Sequence, residues 1–448
     1  MPRSGCGIGG LTLAACISKF SEGRVAVDIY EAEPEVPTFG AVGGISSGVA
    51  IWKHSWQVLQ DLGLEEEIVR QGFDVPTDGA SRGPIFRKSD QSTEGYDFHT
   101  HILPYRPLGL HRLTLLEILR SKLSPDCKVH PSKRLERYEV SSEGFINLVF
   151  SDFEITTADI LVGADGVHSA TRQSMFRYMG DGYEQYILPV FNGTIAYRGM
   201  LPKTKLVETY PDHRALDGPK LVRIFPELTI YCLKCTHVVS HPVGPSIGIG
   251  CFRYNPDTEG QAHTGPSVAD VPTQEATSHF ETWEPDIRSL IQHVESYSAW
   301  AIHVVKPLPC YAQGSVVLIG DAAHAMTPHQ GVGAAQAIED AHVLGRLLAH
   351  PSAVKEKIQL ILKLYEELRL PPTQEAAEKS HITGMMYEFN HPSFLFNDPS
   401  HPDGPSREEL KALGNTVGIS FVWLADSQLE EEWAEAEARL KEICEKPE

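Results

Sequence analysis

Apolar and polar positions along the first third of the chain alternate between helical and strand periods. Ile8 to Phe20 reads as a helix, and its small residues Gly10, Ala14 and Ala15 permit close packing on a sheet. Arg24 to Tyr30 (RVAVDIY) alternates and is rich in β-branched residues, so it reads as a strand. Ile51 to Leu62 puts Trp52, Trp56, Leu59 and Leu62 on one helical face, with Gly63 as a stop, and a further helix is predicted from Thr114 to Leu123. Three strands follow, RLERYEV, FINLVF and FEITTADILVGAD, separated by the turn-forming SSEG and SD.

The stretch from about 180 to 305 is rich in Pro, Gly and aromatics. Its short alternating runs, such as LVRIF and TIYCLKC, predict a mostly antiparallel sheet. From Gly314 the pattern returns to strand then helix, SVVLIG and GVGAAQAIEDAHVLGRLL. The tail has helical runs near 353–369 and 427–445, split by the loop NHPSFLFNDPSHPDGPS. The last, acidic helix is expected to be a solvated face.

Composition narrows the classes. A length of 448 residues allows a large core and two or three domains. The net charge of −20 would repel a phosphate backbone, so no nucleic-acid partner is expected. No apolar run reaches the ~18 residues of a membrane span, and the N-terminus lacks a secretory pattern. Eight scattered cysteines suit a reducing, cytoplasmic setting. Cys232 and Cys235 form a C-x-x-C inside a predicted strand with no second pair at zinc-ribbon distance, so a structural role is expected and no metal.

Three separated segments carry chemistry. Gly5, Gly7 and Gly10 spell G-x-G-x-x-G, a loop whose tight turn and helix N-terminus suit a pyrophosphate, and Glu31 lies 21 residues after Gly10, where an acid can bind a ribose hydroxyl. Only four residues precede Gly5, where a buried strand is expected, so the first strand reads as truncated. In the second segment, DILVGADGVHSATR, a hydrophobic strand ends at Asp165 and Gly166 before a helix, although D-G is also simply a turn. In the third, the strand SVVLIG delivers Gly320 and Asp321 to the carboxyl end of a sheet, and Gly331 and Gly333 open a helix facing the same crevice. Asp321 there can hold the polyol chain of a flavin, or merely cap a helix.

Together, GCGIGG with Glu31, ADGVHSATR and GDAAHAMTPHQGVGAAQAIEDA resemble the three flavin motifs of class A FAD-dependent aromatic hydroxylases. AIWKHSW and FRKSDQ make the chain most similar to the salicylate-hydroxylase-like branch, fungal members in particular, with the resemblance running from Gly5 to about Ala349. It implies an α/β fold: a Rossmann-like, glutathione-reductase-type FAD-binding domain (1–75, 106–178 and 306–350), an inserted mostly antiparallel β-sheet substrate domain (76–105 and 179–305), and a C-terminal helical region (351–448).

The resemblance also implies roles. Gly5, Gly7, Gly10 and Glu31 would hold the ADP half of FAD; Gly44, Arg112 and Asp165 match cofactor positions or motifs; Asp321 and Ala334 would hold the ribityl and ring ends. For Arg112 a surface salt bridge is the alternative. Pro328 matches the proline lining the oxygen-reaction pocket. Arg198 would pair with a substrate carboxylate and Tyr231 with a phenol, unless they are a sheet-surface arginine and a core tyrosine. The implied reaction uses NAD(P)H, transiently bound, and O2. A flavin C4a-hydroperoxide hydroxylates a phenolic acid, salicylate- or 4-hydroxybenzoate-like, with CO2 leaving if the attacked carbon carries the carboxylate. Alternatives are a terpenoid or polyketide epoxidase or hydroxylase of the same class in secondary metabolism, or a truncated, flavin-poor relative without catalysis.

Overall fold

The structure, a computed structural model, describes residues 5–34, 48–216, 228–243, 245–394, 396 and 404–445. The predicted helix Ile8–Phe20 is present with those bounds and buries Leu11 to Ile17. It lies along the helix Gly333–Ala349, and the contact is close enough that a Cβ on Gly345 would sit 2.5 Å from the Cβ of Cys16. A side chain there would force the helices apart.

Parallel strands lie beneath this pair in two pieces. Asp28–Tyr30 pairs with Lys128–His130, and Leu161–Gly163 pairs with Val316–Leu318, which is extended by the short antiparallel strand Ala312–Gln313. Among the described residues no strand lies between Asp28–Tyr30 and Leu161–Gly163. The glycine loop stands at their carboxyl ends, Gly5 against the Tyr30 backbone and Gly10 against Ala164. Residues 1–4, on which the expectation of a truncated strand falls, lie outside the described residues, as does LVRIF.

An eight-stranded sheet forms the second layer, in the order 268–272, 296–304, 190–202, 246–254, 236–243, 229–233, 77–88 and 96–106. Its neighbours are antiparallel except Thr229–Leu233 with Thr77–Lys88. Alternation along these strands makes two distinct faces. One carries Tyr197, Tyr231, Val238 and Cys251 into a core with Phe280, Trp283, Ile287 and Leu290. The other packs Phe86, Ile230 and Cys232 against Val332, Ala335, Met386 and Tyr387, and therefore faces the loop that follows the Val316–Leu318 strand.

The elements depart from the sequence reading in several places. The run 153–165 divides at Asp159–Ile160: Ile155–Ala158 closes a three-stranded antiparallel sheet and Leu161–Gly163 enters the parallel one. Ile51 ends a strand, Gly48–Ile51, before the helix Lys53–Asp61 begins, and the next helix is Arg112–Arg120. Helix Ile358–Tyr387 runs straight through Pro371 and Pro372, because buried Tyr365, Arg369, Thr373 and Ser380 anchor it on both sides of the break in hydrogen bonding. Helix Arg407–Ser420 was not foreseen, although Ser406 and Glu409 form a capping box at its start. Among the described residues no helix is long and apolar enough to cross a membrane.

Candidate active site

Gly7 caps the helix Ile8–Phe20 and its carbonyl accepts from Leu11 N–H at 3.0 Å. A Cβ on Gly10 would fall 1.9 Å from the Gly5 carbonyl oxygen, and one on Gly5 would fall 2.4 Å from that of Tyr30. The loop can take this shape only with glycines, and it leaves the helix N-terminus open to an anion. Glu31 is fully buried beside it, one oxygen accepting from Cys6 N–H at 3.0 Å and the other from Glu33 N–H at 2.9 Å. The carboxylate thus braces the glycine loop. Burial, with Glu31 adjacent, pushes the Cys6 thiol up to about 12 and keeps it inert.

Arg112 begins the helix Arg112–Arg120 and is half-buried. Burial lowers its guanidinium, against the opposing pull of Asp321 and Glu31. Acids distant in sequence, Glu31 and Asp321, thus both act on this arginine. Gly44 lies outside the described residues. Asp165 reaches the first turn of the helix Ala170–Met179, which Ser169 caps; its Oδ2 accepts from Thr171 N–H at 3.0 Å and from the Thr171 hydroxyl at 3.1 Å, while buried Oδ1 has no hydrogen-bond partner among the described residues.

Gly320, at φ +58°, turns the chain into the short helix Asp321–His324, with Asp321 exposed at its start. Behind this turn sits Asp340, fully buried. Its Oδ2 accepts from Gly320 N–H at 2.9 Å and lies 2.6 Å from His324 Nε2; its Oδ1 accepts from Arg369 Nε at 2.8 Å. Burial alone would raise this carboxyl, but His324, Arg369 and the Gly320 amide hold it below the usual range. Arg172 of ADGVHSATR, also fully buried, donates to the carbonyls of Ala322 at 2.9 Å and Val167 at 2.6 Å, tying the two loops together. Pro328 is exposed in a turn closed by Gly331 N–H at 3.1 Å, and Ala334 is half-buried in the first turn of Gly333–Ala349.

Across from this loop, Arg198 lies on the sheet face that it covers. Register fixes the face: Arg198 pairs with Gly250, Gly250 with Val239, and Val239 with Ile230. The guanidinium sits 4.9 Å from the Trp300 ring centroid, and burial lowers it with no opposing carboxylate. His241 Nδ1 and Trp300 Nε1, on the same face, are buried without hydrogen-bond partners among the described residues. Gly248 and Gly250 leave the strand between bare, with the rings of His241 and Phe252 lying over them. Tyr231 is not brought to this place. It pairs with Val238, and so stands in register with Cys251 and Tyr197 on the opposite face, fully buried beneath Trp283, and burial drives its phenol far above the ordinary range.

Residues 46–380 match the family described as FAD binding domain. This chain belongs to that family. It is 30% identical over 462 residues to a salicylate hydroxylase of Pseudomonas putida, covering 97% of this chain and 94% of that protein. A 6-methylsalicylate 1-monooxygenase of Aspergillus terreus is 28% identical, covering 99% of this chain and 92% of that one. A solved salicylate hydroxylase in a substrate complex superposes with a TM-score of 0.75 at 27% identity, covering 99% of this chain and 97% of that one. The protein is an FAD-dependent monooxygenase with that enzyme's α/β fold.

The residues present fit FAD. The glycine cradle excludes side chains, the helix N-terminus is free for phosphate, and Asp165 keeps an unbonded carboxylate oxygen in the same crevice. A cavity of about 480 Å³ opens elsewhere, beyond the Gly333–Ala349 helix, lined by Trp52, Glu339, Arg369, Lys379 and Trp423. Its cations are already paired, Arg369 with Asp340 and Lys379 with Glu375, so the Arg198 face is the better anion site.

Sequence reasoning passed over Asp340, Arg172 and Arg369, which hold the cofactor loops rather than line them. Asp340 and Arg172 stood inside the quoted motifs; Arg369 had no local signal. Cys232 lies on a strand and Cys235 in the tight hairpin turn between Leu233 and Thr236, at φ +58°, and both are free thiols. His237, His329 and Glu388 form a cluster on the same side of the sheet as Arg198, which only the fold reveals.

Proposed function

We propose that this monooxygenase hydroxylates a phenolic aromatic acid, salicylate- or 4-hydroxybenzoate-like and open to ring substituents such as a prenyl group, using NAD(P)H and O2. The observation that carries the reading is Arg198: a guanidinium beneath the cofactor loop with no carboxylate partner among the described residues, beside two unsatisfied ring nitrogens. A substrate carboxylate would complete it. The named substrates of the relatives, salicylate and 6-methylsalicylate, are aromatic acids of this kind.

FAD, once reduced, supplies an activated oxygen for transfer to an electron-rich ring. Gly5, Gly7, Gly10 and Glu31 would hold its ADP half, Arg112 and Asp165 would contact the cofactor, and Asp321 and Ala334 would hold the ribityl and ring ends. On the sheet, Arg198 fixes the carboxylate, Trp300 packs on the guanidinium, and the rings of His241 and Phe252, which lie over Gly248 and Gly250, flank the substrate ring. Pro328 closes the site from above and helps exclude water. When the hydroxylated carbon bears the carboxylate, CO2 is released. We assign the flavin domain to 1–75, 106–178 and 306–350, the substrate domain to 76–105 and 179–305, and the helical region to 351–448.

The test is NAD(P)H oxidation by FAD-loaded enzyme against a panel of hydroxybenzoates, with product mass spectrometry. Hydroxybenzoate-stimulated oxidation with a hydroxylated product is expected. If no phenolic acid stimulates it or yields product, the reading fails.

A further inference from the structure

Arg198 is not the only unfinished polar group on this side of the sheet. His329, next to Pro328, has both ring nitrogens buried and without a hydrogen-bond partner among the described residues. Its ring is nevertheless held firmly. A Cβ on Gly384 would collide with Nδ1, so a glycine in the helix Ile358–Tyr387 makes the room, and the Tyr387 hydroxyl donates to the His329 carbonyl at 3.3 Å. His237, on the strand Thr236–Val243, stands with its ring 5.2 Å from that of His329. It stacks flat on Phe252, centroids 4.4 Å apart and planes 5° apart. Its Nδ1 is 3.0 Å from the carboxylate of Glu388, the buried residue that ends the same long helix. One donor atom from each of the three side chains lies within 4.8 Å of the other two.

We propose that His237, His329 and Glu388 form a binding site for a divalent transition-metal ion of the zinc and copper class. Two imidazoles and one carboxylate make a borderline donor set. It suits Zn2+ or Cu2+ and holds Ca2+ or Mg2+ poorly, because those ions prefer oxygen alone. In a tetrahedral site with bonds of about 2.0–2.1 Å, donors stand roughly 3.4 Å apart, so the triad closes on an ion with a movement of little more than about 1 Å. The His237–Glu388 pair is already inside that spacing. A water takes the fourth position.

The surroundings suit a cation. Glu388 is withdrawn from water, and among the described residues it has no Lys or Arg partner, only the imidazole of His237. A buried carboxylate without a countercharge is costly, and a bound ion supplies that charge. Burial lowers both imidazoles to about 3, so at neutral pH no proton contends with the ion for their lone pairs. Phe252 lies flat on His237, and Tyr387 packs edge-on against both imidazoles, walling the triad with aromatic carbon. Such a shell excludes solvent and strengthens the attraction between ion and carboxylate. The triad lies two strands from Arg198 on the same face. An ion held there intrudes on the place assigned to the aromatic acid and blocks turnover. That consequence rests on the reading above, whereas the binding of the ion does not.

The experiment titrates Zn2+ into tag-free, oxidised, FAD-loaded enzyme by calorimetry, and records the electron paramagnetic resonance spectrum of the same enzyme with one equivalent of Cu2+. One Zn2+ per chain is expected, with a copper signal split by two imidazole nitrogens. Glu388→Gln and His329→Gln should each weaken Zn2+ by about tenfold or more. Cys235→Ser, which removes the thiol of the neighbouring hairpin turn, should leave the affinity unchanged. If neither ligand variant folds, the copper spectrum of the native enzyme decides. Absence of saturable binding, equal affinity in both ligand variants, loss of binding in Cys235→Ser, or a copper signal without two nitrogens overturns the site. In turnover with a hydroxybenzoate, Zn2+ should inhibit NAD(P)H oxidation over the concentrations at which it binds, and EDTA should restore the rate. Zn2+ that binds at the triad but leaves this turnover untouched overturns the blocking role. Zn2+ binding to an enzyme that no hydroxybenzoate stimulates overturns instead the aromatic-acid reading, with the metal site intact.

Discussion

Asp340 and Arg198 are both charged groups withdrawn from water within the same enzyme, yet their surroundings differ. Asp340 directs both oxygens to donors of its own chain, the Gly320 amide, His324 and Arg369. Arg198 has an aromatic face beside it and no carboxylate among the described residues, and its neighbours His241 and Trp300 keep ring nitrogens unbonded. A buried ion whose partners are internal fixes backbone geometry, here the turn that presents Asp321. A half-finished polar site carries a folding penalty that a ligand can relieve. The first holds the turn at Gly320 in place; the second is the site at which the proposed function puts the substrate charge.

Breaking the closed network should have the largest effect. Asp340→Asn leaves Arg369 with Glu339 as its remaining charged partner and should cost about 3 kcal/mol of stability, with loss of FAD, measured by denaturant unfolding and the flavin spectrum. The acid limb gives an independent reading. Because Asp340 is held below the usual carboxylate range, its contribution is present above the unfolded value of about 3.9 and lost as pH falls through the lower folded value. The Asn variant should therefore lose less stability than the native enzyme below about pH 4. Equal acid limbs would show that Asp340 is not held as its contacts require.

Breaking the open site should leave the fold intact and strike binding. Arg198→Ala should weaken a hydroxybenzoate by about 2–3 kcal/mol, roughly 30- to 150-fold, and a phenol without carboxylate by less than about threefold. Titration of both ligands on holoenzyme checks the difference; equal losses would remove the carboxylate from the Arg198 site. Gly10→Ala tests the cofactor cradle more gently. A methyl 1.9 Å from the Gly5 carbonyl must displace the loop, with strain of about 1–3 kcal/mol and a matching rise in FAD dissociation constant. Unchanged FAD affinity would show that the loop does not carry the phosphate.

The same contrast explains what the sequence disclosed. The glycine loop, Glu31, Asp321 and the helices Ile8–Phe20 and Gly333–Ala349 were legible because their requirements are local: a turn, a strand end, a helix start. Asp340, Arg369 and Arg172 hold these loops across separations such as the 150 residues from Arg172 to Ala322, so no window of sequence contains the pair. The helical run near 353–369 extends through Pro371 and Pro372 to Tyr387 for the same reason, since tertiary anchoring outweighs the local break. The capping box at Ser406 was a local signal simply passed over. Glu388 had no signal at all: it meets His237 only when the C-terminal helix docks on the sheet.

Tyr231 sharpens the comparison from its quiet end. In TIYCLKC its neighbours alternate, and alternation assigns opposite faces but not which face meets the ligand. Pairing with Val238 settles that: Tyr231 lies in the core with Tyr197, Trp283 and Ile287, while its neighbour Ile230 turns toward the cofactor loop. A phenol on the covered face cannot hydrogen-bond a substrate on the other. Tyr231→Phe, which keeps the ring and removes only the hydroxyl, should thus change hydroxybenzoate affinity and kcat/KM by less than about twofold, and stability by about 1 kcal/mol or less. A tenfold loss of kcat/KM with unchanged stability would instead mean that the two faces of this sheet communicate, and that the site extends through the strand rather than resting on it.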